Sequence, residues 1–138
     1  MHPHVVLTPV GYVRSFLTSV DAAPLQGDEG APSAVLELES AVVDALDGIA
    51  VNDELIVLTW LHEARRDVLK VHPRGDAERP LTGVFATRSP HRPNPIGIHT
   101  VRVTAILPQG RIEVGALEAI DGTPILDVKP VLSAPLTR

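Results

Sequence analysis

The chain contains no cysteine, which excludes disulfides, thiolate metal sites and cysteine nucleophiles and agrees with a reducing compartment. No apolar run approaches the ~20 residues of a membrane span, and the opening "MHPHVVLTPVGYVRS" lacks a charged start followed by a long apolar stretch. A soluble, cytoplasmic protein without membrane contact is expected. The glycine-rich turns G-x-G-x-x-G and G-x-x-x-x-G-K-[ST] are absent, so neither dinucleotide nor triphosphate binding by such a turn is supported. H-E-x-x-H is absent as well. Although His62, His91 and His99 could converge, the six histidines read by default as single surface or core residues, and no metal is expected. There is no internal repeat and no low-complexity tract.

What is present suits one compact domain spanning residues 1–138. At 138 residues and 44% hydrophobic content, a chain can bury about two thirds of its unfolded surface. Charge is lopsided: 12 basic against 17 acidic residues give −5, whereas phosphate contacts dominate nucleic-acid affinity. An RNA partner would therefore need a local basic patch. Arg65, Arg66, Lys70, Arg74 and Arg79, with Arg88 and Arg92 beyond, could form one, and a solvated loop face accounts for the first five equally well.

Apolar residues alternate with polar ones, or run together with Val, Ile, Leu and Thr, over 5–15, 34–38, 54–62, 81–88, 96–107, 111–120 and 125–132, predicting strands. "PRGDAERP", "PQG" and "DGTP" mark turns between them. One helix is predicted, over 40–49, ended by Gly48. Many short strands with close turns predict a mainly β fold, an antiparallel sheet closed or nearly closed into a barrel. Residues 17–33 read as a long excursion from it.

One segment breaks the apolar rhythm. In "GVFATRSPHRPNPIGIH", residues 83–99, Pro90, Pro93 and Pro95 each fix φ and push the preceding residue out of the α region, so the loop is pre-set at low entropic cost. It carries Arg88, Ser89, His91, Arg92 and Asn94, which suit a polar, anionic or nucleotide-like ligand. Gly97 permits a close backbone approach. A proline-stiffened structural turn with surface arginines is the alternative reading.

"GVFATRSPHRPNPIG" resembles the signature of the TsaA-like (TrmO) family, S-adenosylmethionine-dependent methyltransferases acting on threonylcarbamoyladenosine beside the tRNA anticodon. "VGYVRS", "LDGI", "LTWLHE" and "LEAIDGTPILDVKPVL" follow in the family's order and spacing, so the resemblance covers essentially the whole chain. It implies a small non-Rossmann β-barrel that binds S-adenosylmethionine, with sites completed across a homodimer and tRNA as substrate. Position by position, it implies cofactor contacts from Gln26 and Gly27, from His62 and Glu63, from Arg88 and Ile98, and from the turn Asp121, Gly122, Thr123 and Pro124. Leu25 stands where the family carries arginine, and Glu63 where it carries glutamine. Ser89, His91, Arg92, Asn94 and Lys129 are the candidate substrate contacts. Asp127 and His62 are the candidate bases, because the family's acceptor is a urea-like N–H of low acidity. A small-molecule acceptor, or a regulatory barrel that binds the cofactor without turning it over, stays open at this point.

Overall fold

The computed structural model describes residues 2–15 and 33–132. Six strands close into a barrel in the order β1 (Gly11–Arg14), β2 (Ala34–Leu38), β7 (Arg111–Gly115), β6 (Ile96–Leu107), β3 (Glu54–Trp60) and β8 (Pro124–Pro130), with β8 returning to β1. All pairings are antiparallel. A separate two-stranded ribbon joins β4 (Lys70–Val71) to β5 (Thr82–Gly83). None of the described helices is long and apolar enough to cross a membrane.

Period-two alternation drives the closure. Along β6 the side chains switch regularly between exposed and buried from Ile96 to Thr104, so one face of the ribbon must find apolar company. Val13, Leu36, Leu55, Val57, Val103, Ile112, Val114 and Ile125 fill the interior. At Gly11 an added Cβ would run into the carbonyl oxygen of Glu37, so only glycine lets β1 lie this close to β2. Leu117, Ala119 and Ile120, from the segment between β7 and β8, are buried and plug the barrel end at which β3 finishes and β6 begins.

The structure corrects several sequence expectations. Of residues 5–15, only Gly11–Arg14 pair as a strand; Val5, Val6 and Leu7 are exposed, Pro9 supplies no N–H, and a closed barrel offers them no edge. Residues 81–88 form the short β5 and then a 3₁₀ turn, Val84–Ala86, because within 81–88 only Val84 is buried. The helix expected over 40–49 is a 3₁₀ segment, Ser40–Leu46, without a side-chain cap, and its β-branched Val42 and Val43 favour the helical form poorly. β7 stops at Gly115 because Ala116 takes φ 60°, the left-handed region. β3 stops at Trp60, where the Leu61 N–H turns to the Pro95 carbonyl at 2.7 Å. The excursion read over 17–33 lies outside the described residues apart from Ser33.

Candidate active site

Residues 61–95 leave the barrel between β3 and β6 and return beside their point of departure. The proline loop is their last stretch, and arginines brace it from within. Arg92 Nη1 donates to the carbonyls of Thr87 (3.1 Å) and Ser89 (3.0 Å), and its Nη2 donates to the Val84 carbonyl at 3.0 Å. Arg66 Nε donates to the Pro93 carbonyl at 2.7 Å and Nη2 to Asn94 Oδ1 at 2.9 Å, while its guanidinium lies 5.0 Å from the centre of the Trp60 ring. Such a guanidinium is held by a flat cation–π face and two directed bonds together.

The smaller side chains continue the lacing. His91 Nδ1 accepts the Arg65 N–H at 2.9 Å, so the neutral ring carries its proton on Nε2. The Ser89 N–H goes to Thr87 Oγ1 at 3.1 Å, and the His91 N–H to Ser89 Oγ at 3.2 Å. Of the candidate ligand contacts in the loop, Ser89, His91, Arg92 and Asn94 therefore all have polar atoms engaged by the loop's own frame. Arg88 does not: it is exposed, and no partner reaches it among the described residues.

The other candidates gather around the Trp60 end of β3. Leu58 pairs with Ile98 on one side and Asp127 on the other, and Ile56 pairs with Lys129. A register shift between Leu58 and Thr59 inserts an extra β8 residue beside Asp127, as a β-bulge does when it re-aims a side chain. Lys129 Nζ meets Asp127 Oδ2 at 2.7 Å, and Asp127 Oδ1 accepts the Val128 N–H at 2.9 Å. His62 Nε2 stands 3.8 Å from Glu63 Oε2, both side chains partly exposed. In the second turn Asp121 Oδ1 accepts the Ser15 N–H at 3.0 Å, Gly122 takes φ 82°, and the buried Thr123 gives its hydroxyl to the Ile120 carbonyl at 2.7 Å. Pro124 opens β8 opposite Tyr12. Gln26 and Gly27 lie outside the described residues.

Two arginines of the expected basic patch, Arg65 and Arg79, are paired with nearby carboxylates. Arg65 holds both oxygens of Asp67, at 3.0 and 2.9 Å; this hydrogen-bonded pairing raises the Arg65 pKa and keeps the Asp67 carboxyl below the usual carboxylate range. Arg79 faces Asp76 at 3.7 Å. Bracing by Arg66 and Arg92 was invisible in the sequence, since their partners are not set by any motif spacing. Among the described residues no group of three or more His, Asp or Glu is placed to hold a metal ion.

The model of the tRNA-methyltransferase O N-terminal domain matches residues 12–134. The chain belongs to this family. A Methanothermobacter thermautotrophicus relative named "Probable S-adenosyl-L-methionine-binding protein" is 42% identical over 125 residues, covering 90% of this chain and 88% of its own. An Archaeoglobus fulgidus "S-adenosyl-L-methionine-binding protein" is 38% identical over 125 residues, covering 91% and 88%. The TrmO crystal structure from Pseudomonas aeruginosa superposes with a TM-score of 0.72 at 30% identity, over 98% of this chain and 60% of that one. A further TrmO crystal structure gives 0.74 at 32% identity, over 99% and 60%. The chain thus spans about three fifths of the length of these solved TrmO proteins, and the family resemblance carried by its proline loop is borne out together with the mainly β fold.

Proposed function

We propose that this chain is an S-adenosylmethionine-dependent methyltransferase of the cytoplasm, acting as a homodimer on N6 of threonylcarbamoyladenosine beside the tRNA anticodon. The observation that carries the reading is the family match over residues 12–134, falling on a site whose rigid loop leaves Arg88 exposed and without a partner among the described residues. The donor set fits the cofactor's chemistry. Outward-facing Ile96 and Ile98 offer apolar surface for a nucleobase, Arg88 offers a guanidinium for a carboxylate, and Asp121 and Glu63 offer carboxylates for ribose hydroxyls.

The bound cofactor would supply an electrophilic sulfonium methyl group. The chain's own task is positioning and water exclusion, which in well-oriented reactions lowers barriers by ~7–11 kcal/mol. A loop whose carbonyls are pinned by Arg66 and Arg92 does not have to be ordered when the ligands arrive. Asp127 and His62 are the two groups proposed to take up the acceptor's proton, a role worth ~10²–10⁴-fold where geometry allows. Homodimer formation is supported by the exposed apolar strip of Ile96 and Ile98 beside Leu58 and Trp60 on the outer sheet, since contiguous apolar surface favours a partner.

A second reading, a barrel that binds the cofactor without turnover, is supported by the wording of the relatives' names and by the net charge of −5. Calorimetric titration with S-adenosylmethionine, followed by methyl transfer to threonylcarbamoyl-modified tRNA, separates the two. Methylated tRNA, with affinity falling steeply as salt rises, supports the enzyme; cofactor binding without transfer supports the binding barrel. Failure to bind the cofactor overturns both.

A further inference from the structure

Thr59, His99 and Thr123 are the buried polar residues among those described, and two of them form a row inside the barrel. Thr59 Oγ1 lies 2.8 Å from His99 Nε2, and His99 Nδ1 lies 3.7 Å from Glu118 Oε1. Room for this row depends on Gly97: a Cβ there would come within 2.6 Å of Thr59 Oγ1 and 2.8 Å of His99 Nε2. Hydroxyl, imidazole and carboxylate follow the order of a nucleophilic triad. Thr59, however, is 0% exposed, so no substrate reaches its hydroxyl.

Connectivity gives the row a different task. Thr59 and His99 belong to the β3–β6 wall that carries the proline loop, whereas Glu118 belongs to the plug leading into the Asp121–Pro124 turn. His99 Nδ1 and Glu118 Oε2 have no hydrogen-bond partner among the described residues, and buried groups of this kind are rarely left idle. We propose that His99 is a positioning residue that latches the plug to the β3–β6 wall through Glu118 and thereby sets the Asp121–Pro124 turn against the loop bearing Arg88. A carboxylate only accepts, so the ring proton stands on Nδ1, facing Glu118, and Nε2 accepts the Thr59 hydroxyl proton. The proposal rests on the reading that this turn and this loop hold the cofactor.

The test compares wild type, His99→Gln, Glu118→Gln and the core control Val103→Ala. Long-range proton–nitrogen correlation locates the ring proton of His99. Hydrogen exchange is followed at Gly122 and Thr123, whose amides bond the Val13 carbonyl (2.7 Å) and the Ile120 carbonyl (3.2 Å). Expected are a proton on Nδ1, exchange at both amides about tenfold faster in Glu118→Gln, and a comparable rise in the Kd for S-adenosylmethionine, as for directly coupled neighbours. Val103→Ala should lower the melting temperature yet leave those two amides and the Kd unchanged. A proton on Nε2, or wild-type exchange at Gly122 and Thr123 in Glu118→Gln, overturns the latch, and Glu118→Gln decides the matter even where His99→Gln fails to fold. Absence of cofactor binding by the wild type removes the functional reading alone, because the ring proton and the exchange rates still judge the latch.

Discussion

The barrel and the lobe of residues 61–95 are held together by different forces. In the barrel, backbone ladders run almost uninterrupted around an apolar interior. Between Leu61 and Pro95 only Val84 and Pro95 are buried, and two arginines aimed at backbone carbonyls and an amide oxygen supply much of the order. Apolar burial scales with area and needs no particular direction, while a guanidinium fork works only if its acceptors are held at fixed angles. The same difference separates the barrel from the loop that carries Arg88: the loop is the part laced by directional bonds.

The contrast can be broken from either side. Leu36→Ala, at a fully buried barrel position, should cost ~2–5 kcal/mol and lower the melting of the whole protein; a loss confined to the lobe would contradict the division. Arg92→Ala strips donors from three carbonyls and should cost ~1–3 kcal/mol within the lobe. Amide exchange should quicken at Thr87 and Ser89 while the β6 amides stay as protected as before. Arg88→Ala removes a cation that braces nothing among the described residues, so the melting temperature should hold while affinity for S-adenosylmethionine falls about tenfold, as for one charge-assisted bond. Unchanged affinity would take Arg88 out of the site. The smallest effect belongs to Asp67. Its carboxyl is held below the ordinary aspartate value by Arg65, so its contribution is present above the ordinary value of ~3.9 and fades as pH falls through the depressed one. Asp67→Asn should therefore lower the melting temperature slightly at neutral pH, and the difference should vanish in acid.

Legibility in the sequence follows the same division. Strands 34–38 and 96–107 coincide with β2 and β6 residue for residue, because a strand with one face in a core writes its period into the chain. Residues 81–88 misled for the opposite reason. Leu81 and Phe85 are apolar yet exposed, so composition there reports surface chemistry rather than burial. In the candidate site, the prolines of the sequence marked the loop and its arginines raised the expectation of a ligand, but the sequence carried no sign that Arg92 is turned inward while Arg88 is turned out. That difference of four positions arises from where carbonyls point after the Val84–Ala86 turn, which no spacing rule encodes. The row through Thr59, His99 and Glu118 was equally hidden, since three segments must first be folded into one barrel end before it exists.

The bond from the Leu61 amide to the Pro95 carbonyl has an engineering meaning. The lobe enters and leaves the barrel at a single point, between strands that already pair from Trp60 and Ile96 down to Glu54 and Arg102. Both ends of the insert are thus as close as the ends of a tight turn. A short linker from Trp60 to Ile96 would therefore suffice to close the β3–β6 hairpin without the lobe, at the loss of the Arg66 guanidinium from the Trp60 ring.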